Sequence, residues 1–372
     1  MNTLYALRFK EILRDYDFGN RWIARDFCKE HLPDDHRISE TWEVCDRPNG
    51  ESSMVVNGPL RGKTLRHLIE EYKELLLGSR IIADSGLRFP LLIKLLDVTH
   101  ALGEQVHQSD ELARTQGLKD TGKTEAWYIL RAEPGAAVEC GNKKGILREV
   151  LINSVLDGTV RSCMTEFSTQ AGDAFLLYAG TMHYSSGGIL IYEIMQNSDV
   201  IMGLWPQDQS LSAEERLHMA QEAAHGVHLE DGADPRTDPI PIIEADARRT
   251  FVVACEHFAL EKIDIQDDYR IIPDHKKFLV LTCIAGSASI SSGPVSEVYK
   301  AGNSCLIPAC AGEVAIVPNG SATFLKAYVP DLVEDVIKPL RALHIDDSKI
   351  MRLGAQTCLN PLRQALAALK GS

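Results

Sequence analysis

Between residues 88 and 202 the chain is cut into short apolar runs by glycine, asparagine, aspartate and proline. The runs are "RFPLLIKLLDV", "EAWYILRA", "GAAVECG", "AFLLYAG" and "GILIYEIM". Each has the length of a strand and is bounded by turn residues, which predicts a sandwich or a barrel. The same texture returns after residue 246 in "TFVVACEHFALEKIDI", "FLVLTCIAGSASIS", "SCLIPA", "GEVAIVP" and "ATFLKAYVP". Helices are expected beside these blocks, at 63–78, 143–158 and 212–228. In the first, Leu65, Leu68, Ile69, Leu75 and Leu76 recur at near-helical spacing and Gly78 supplies a stop. The last opens on Ser212 with Glu215 three residues on, a capping box. The Asp- and Pro-rich "EDGADPRTDPIPI" (230–242) reads as a linker. The expected chain is mainly β with helical additions. It divides into an N-terminal β domain (1–205), a helical segment and linker (206–245), and a C-terminal β domain with its tail (246–372).

The two β blocks share a local pattern. "GDAFLLYAGTMH" (172–183) and "GNSCLIPACAGEV" (302–314) both run from a glycine and a polar residue through an apolar stretch to a turn. Only the first has a histidine near that turn. A duplicated β fold follows, with one copy competent to bind a metal and one degenerate.

Composition narrows the partners. A net charge of −13 over 372 residues makes nucleic acid or an anionic membrane surface a poor partner, while a local basic pocket for a small anion stays open. The nine cysteines include no Cys-x-x-Cys pair, which argues against a zinc ribbon and for reduced thiols in a cytoplasmic protein. The opening "MNTLYALRFKEILRDYDFG" has no long apolar run, so no secretory leader is expected. No window reaches the roughly 18–20 apolar residues of a membrane helix.

The chemistry concentrates in two stretches. "GEQVHQSDELA" sets Gln105 and His107 two residues apart, and "GKTEAWYIL" does the same with Lys123 and Glu125. Two residues is one strand repeat, so each pair points to one face. With His183, behind the glycine-bounded "GDAFLLYAG", the residues Gln105, His107 and Glu125 make a candidate metal set. Imidazole and carboxylate suit zinc, iron, manganese or nickel, and an amide oxygen can complete the shell. The competing reading is two amphipathic strands with polar outer faces. A lone strand histidine is more often a surface or core-edge residue, and this chain has twelve histidines. Spacing alone leaves the two readings open.

Five motifs occur in order: "RFPLLIKLLDV", "QVHQSDELA", "GKTEAWYILRAEPGA", "GDAFLLYAGTMH" and "GGILIYEIMQNSD". As a set they resemble the type I mannose-6-phosphate isomerases, zinc-dependent enzymes of the cupin fold. The resemblance spans roughly residues 15–330 and is weakest before 85 and after 205. It implies two cupin (double-stranded β-helix, or jelly-roll) domains, the second without metal ligands. It also implies one Zn2+ per chain held by Gln105, His107, Glu125 and His183. The implied reaction is an aldose–ketose isomerisation of a sugar phosphate through an enediol, mannose 6-phosphate to fructose 6-phosphate. Such a reaction needs a base near the C1 and C2 hydrogens and a cation for the oxyanion. Glu193 is the first candidate base, or alternatively a partner that orients a ligand imidazole. Lys123, two residues before Glu125, is the candidate for steadying the oxyanion or the phosphate. Asn197, Ser198 and Asp199 read as a supporting turn.

The sequence departs from the family at one informative place. The family carries an arginine in a run like "NSDxxxR", and here "NSDVIMG" puts Gly203 there. A planar five-donor group is not simply replaced by a distant lysine. Arg21, Lys94 and Arg216 are the basic residues named as substitutes. Gln108 and Tyr178 stand where the family has prolines. Two further readings therefore stay beside the isomerase: a diverged metal cupin acting on another sugar, and a non-catalytic sugar-binding cupin. Oxygen chemistry is disfavoured because Gln105 takes the place of a third histidine.

Overall fold

Each of those five apolar runs between residues 91 and 196 forms a strand. The computed structural model describes residues 4–27, 29, 32, 37–117, 120–205 and 210–369. Two antiparallel sheets make the first half. One runs β10 (Ala174–Leu177), β7 (Glu125–Ala132), β12 (Ile189–Gln196), β5 (Leu91–Val98), β3 (Glu40–Val44), β2 (Ile12–Arg14). The other runs β13 (Met202–Gly203), β6 (Leu102–Val106), β11 (His183–Ser185), β8 (Ala137–Asn142), β9 (Met164–Ser168). Leu96, Trp127, Ile129, Val138, Cys140 and Phe175 fill the space between them. That is the inward-facing half of each strand's alternation.

The other faces are covered too, so β5 and β12 are buried along their whole lengths. On the outside of the smaller sheet, Val106, Tyr184 and Leu204 pack on helices Arg148–Asp157 and Ala213–Gly226. On the outside of the larger one, Leu95, Tyr128 and Tyr192 share a core with Val252, Phe278 and Leu325 of the second half.

The second half is a ten-stranded sheet with its own apolar interior. Its path is β14 (Ile240–Ile243), β15 (Ala247–Ala254), β16 (Ala259–Ile265), β21 (Val314–Tyr328), β18 (Leu279–Ser292), β20 (Ser304–Ile307), β1 (Leu7–Lys10), β4 (Met54–Val55). β17 (Tyr269–Ile271) pairs with β21, and β19 (Val295–Lys300) with β18. The beginning of the chain thus closes an edge of the last sheet, with Leu7 opposite Leu306.

The expected internal repeat is visible in the backbone. Gly172 (φ 95°) and Gly302 (φ 89°) both take the left-handed turn that glycine tolerates, and each precedes a four-residue buried strand. β10 then pairs with β7 so that Leu177 faces Glu125, and β20 pairs with β18 so that Ile307 faces Leu279. Leu279 therefore occupies in the second half the place Glu125 holds in the first, with an aliphatic side chain instead of a carboxylate.

Two helix expectations change. The run over 63–78 is two helices, Leu65–Tyr72 and Glu74–Leu77, broken at Lys73 (φ 46°). The carbonyls of Leu75, Leu76 and Leu77 accept from the amides of Cys310, Ala309 and Phe278 of the second half, so they cannot continue a helical ladder. The helix expected over 143–158 begins only at Arg148. Gly145 (φ 78°) turns the chain and donates to Asp231 instead. The capping box of Ser212 and Glu215 forms as expected. The Asp- and Pro-rich stretch expected as a linker is hydrogen-bonded to β10 through Pro235 and Thr237, and enters the last sheet at Ile240. Among the described residues no helix is long and apolar enough to cross a membrane, and the eight described cysteines form no disulfide with one another.

Candidate metal centre

Three segments converge at one end of the first sandwich. β7 begins at Glu125, and the turn before it is clamped. Lys123 donates its amide to the Gln108 carbonyl, Gly122 to Asp110 Oδ1, and Thr124 to Gln196 Oε1. A Cβ on Gly122 would lie 2.4 Å from the Asp110 nitrogen, so only glycine lets the two segments approach this closely. The Gly180 amide donates to the His107 carbonyl at 2.7 Å, which ties the "AGT" turn to the end of β6. His183, just after it, opens β11.

These constraints bring three of the four expected ligands together. His107 Nε2 is 3.2 Å from Glu125 Oε2, and His183 Nε2 is 3.3 Å from Glu125 Oε1. All three residues are at most 1% exposed. His107 Nδ1 lies 3.0 Å from the Val200 carbonyl and His183 Nδ1 2.9 Å from that of Thr181. A carbonyl only accepts, so each Nδ1 carries the proton and each Nε2 presents a lone pair. Burial pushes the imidazoles down, His107 to about 3, which keeps them neutral. Two lone pairs therefore face two carboxylate oxygens; Lys123 Nζ lies 2.9 Å from Glu125 Oε2, while the two Nε2 atoms and Glu125 Oε1 have no hydrogen-bond donor among the described residues. Buried acceptors turned on one another in this way form a cluster that a cation would satisfy. The donor set fits a divalent metal of the zinc type.

Gln105 reaches the group through register. It is paired with His183 across β6 and β11 and is 8% exposed. Directly opposed residues of a ladder share a face, so its amide lies on the side of the sheet that carries His183. Lys123 Nζ sits 2.9 Å from Glu125 Oε2. Glu193 stands further back. Its Oε1 accepts from Trp127 Nε1 at 2.9 Å, its Oε2 is 3.3 Å from Lys94 Nζ, and the Trp127 ring meets His183 edge-on at 5.4 Å. Burial raises the Glu193 carboxyl to about 7, and the nearby Glu125 adds to this against the pull of Lys94.

Lys94 and Glu40 complete this group, and sequence reasoning gave them little weight. Lys94 Nζ is 3.3 Å from both Glu40 Oε2 and Glu193 Oε2. The signal was present: a single cation inside the otherwise apolar "LLIKLL" of a fully buried strand. Its partner on β3 could be found only from the pairing.

The "QNSD" turn is structural, as expected. Asn197 donates to the carbonyls of Asp46 (2.6 Å) and Phe89 (2.8 Å) and accepts from Arg47 (3.1 Å). Ser198 donates to the Thr121 carbonyl at 2.7 Å. Gly203, where an arginine would stand, pairs with Gln105, and a Cβ there would be 2.4 Å from the Trp205 ring. A second cluster, His228, Glu230 and Cys358, is more open, and its carboxylate is already taken by Thr357 Oγ1 (2.6 Å) and the Cys358 amide (2.8 Å).

The relationships of the chain agree with this geometry. Residues 6–139 match the family model for the phosphomannose isomerase type I catalytic domain, and residues 247–329 that for the mannose-6-phosphate isomerase cupin domain. The chain is 30% identical over 294 residues to "Putative mannose-6-phosphate isomerase YvyI" of Bacillus subtilis (strain 168), covering 78% of this chain and 89% of that one. It is 29% identical over 314 residues to mannose-6-phosphate isomerase ManA of the same organism, covering 84% and 95%. The crystal structure of the mannose 6-phosphate isomerase from Bacillus subtilis superposes with a TM-score of 0.75 at 26% identity, over 87% of this chain and 99% of that one. With its paired cupin architecture, the chain belongs to the type I mannose-6-phosphate isomerases, a family of aldose–ketose isomerases.

Proposed function

We propose that this protein is a metal-dependent isomerase of a sugar phosphate, interconverting mannose 6-phosphate and fructose 6-phosphate. One Zn2+ per chain is held by Gln105, His107, Glu125 and His183. The observation that carries the reading is the buried cluster of His107 Nε2, His183 Nε2 and the Glu125 carboxylate, in which three of the four acceptor atoms have no donor among the described residues and the fourth, Oε2, has only Lys123. When bound, the metal supplies a Lewis acid for the oxygen that becomes negative in the enediol. The chain's own groups do the rest. Lys123 directs a buried ammonium at the same region and steadies the developing oxyanion. Glu193, with a carboxyl that takes up and releases a proton near neutral pH, serves as the base that moves hydrogen between C1 and C2. Trp127 and Lys94 fix that carboxylate in place. That the described cysteines form no disulfide with one another supports a cytoplasmic setting.

A second reading, isomerisation of a sugar that lacks the phosphate, is favoured by one observation: the arginine position is Gly203, under the Trp205 ring. One experiment addresses both. Metal content is measured, and exchange of the C2 hydrogen with solvent deuterium is followed for mannose 6-phosphate, mannose and a panel of related sugars. Exchange in metal-replete protein supports the isomerase. No exchange with any sugar sinks both readings.

A further inference from the structure

We propose that Trp205 forms a sugar-stacking subsite at the edge of the metal centre, filling the place of the arginine side chain. The inference rests on the isomerase reading and adds how the substrate is recognised. It begins with register. Gly203 is paired with Gln105, and Gln105 with His183, so the three positions form one row across β13, β6 and β11. Paired residues share a face, and the row lies on the face that carries the metal ligands. A Cβ on Gly203 would be 2.4 Å from Cη2 and Cζ2 of Trp205, and one on Gly103 would be 3.5 Å from Cζ3. The indole therefore lies over Gly203 on the ligand face, about one strand spacing (~5 Å) beyond Gln105 and about two beyond His183. A hexose reaching from the metal toward the sheet edge meets that ring.

The indole is also held in place. Leu204, one residue earlier, is fully buried on the opposite face with Val106 and Tyr184, and its amide donates to the Glu104 carbonyl at 2.8 Å. Trp205 itself stays 44% exposed. A half-exposed aromatic ring set beside a polar site suits the C–H face of a sugar ring. It differs from a guanidinium in one respect that can be measured. The arginine reads a charge, and the indole reads apolar ring surface regardless of a phosphate.

The test uses full-length, metal-loaded protein. Kinetics with mannose 6-phosphate and with mannose are compared for wild type, Trp205→Ala and Trp205→Phe. Mannitol 1-phosphate, which cannot isomerise, is titrated against tryptophan fluorescence. Trp205→Ala is expected to raise KM about five- to tenfold for either sugar, with kcat within about twofold and metal content unchanged. Trp205→Phe should keep most of the affinity and lose the fluorescence response. In the Trp205→Ala background, adding Gly203→Arg should lower KM for the phosphorylated sugar alone. Wild type that exchanges the C2 hydrogen, with Trp205→Ala unchanged in KM but lower in melting temperature, overturns the subsite and makes Trp205 a structural cover. Wild type that exchanges no sugar proton overturns the isomerase reading instead.

Discussion

Glu125 in the first half and Glu261 in the second are both buried strand glutamates, and their surroundings differ completely. Glu261, on β16 and 1% exposed, has Lys326 Nζ at 2.8 Å, Tyr328 Oη at 2.5 Å and Arg249 Nη1 at 3.4 Å. Lys326 stands directly opposite it on β21. These groups border a cavity of about 260 Å³ that Leu279, the residue in the place of Glu125, also lines. The second half thus neutralises its buried charge with its own cations, and its carboxylate is complete as folded. Glu125 has one cation, Lys123, and otherwise faces two imidazole lone pairs. Buried polar groups are generally satisfied in folded proteins, so a buried cluster that the chain leaves incomplete is a candidate for a ligand.

The sharpest way to break this comparison is Glu125→Gln. It keeps the shape and removes the charge that balances a dication. Metal occupancy should collapse and the isomerase rate fall on the order of 10³-fold or more, since the Lewis acid is lost with it. Elemental analysis and turnover on the same sample check this. Full metal content in the variant would mean that the imidazoles and Gln105 suffice.

Glu261→Ala should act on stability. It leaves Lys326 with an uncompensated buried charge, while Arg249 keeps Glu244 at 2.8 Å, and breaking such a group costs about 3–5 kcal/mol. Denaturant unfolding should show that loss, with turnover per folded molecule unchanged. The pH dependence has a definite sign. Burial alone would raise the Glu261 carboxyl, but Lys326 and Arg249 hold it below its ordinary value. A depressed carboxyl stabilises the fold above its unfolded value, about 4.3, and that stabilisation fades as pH falls through the folded value. Glu261→Gln should flatten the acid limb of the stability profile. An unchanged limb would show that Glu261 is not what titrates there.

Lys123→Met returns to the first site with a smaller expected effect. The metal should stay bound, because a positive neighbour of the carboxylate has been removed rather than a ligand. The rate should fall about 10²-fold if the ammonium steadies the oxyanion. A variant that loses metal and rate together would make Lys123 a support for Glu125 only.

The two sites were not equally legible in the sequence. His107, Glu125 and His183 lie in motifs where polar residues interrupt apolar strands, and the structure brings those three together. The strands themselves were legible because the turn residues that end them are local. Glu40 was not, because it meets Lys94 only through the pairing of β3 with β5, and pairing between distant segments leaves no local mark. Neither was the break at Lys73. The leucines beyond it keep a helical rhythm, yet their carbonyls are claimed by amides more than two hundred residues away. The network around Glu261 was invisible for the same reason: Arg249 and Lys326 are ordinary strand cations until β15, β16 and β21 are set side by side.

The finest adjustment to that network is Tyr328→Phe. The phenol donates one hydrogen bond to Glu261 Oε1, while Lys326 lies close to Oε2. Deleting the hydroxyl leaves the charge paired and removes only one donor to an ionised acceptor, worth about 1.5 kcal/mol. The aromatic ring, fully packed in the second core, keeps its contacts. Denaturant unfolding should therefore place this variant well above Glu261→Ala. The double variant Glu261→Ala/Tyr328→Phe should be hardly less stable than Glu261→Ala alone, because the hydroxyl has then lost its acceptor. If Tyr328→Phe costs as much as Glu261→Ala, the lysine and arginine are not what completes the carboxylate. The second half would then hold its charge as precariously as the first, and the contrast between a finished and an open site would fail.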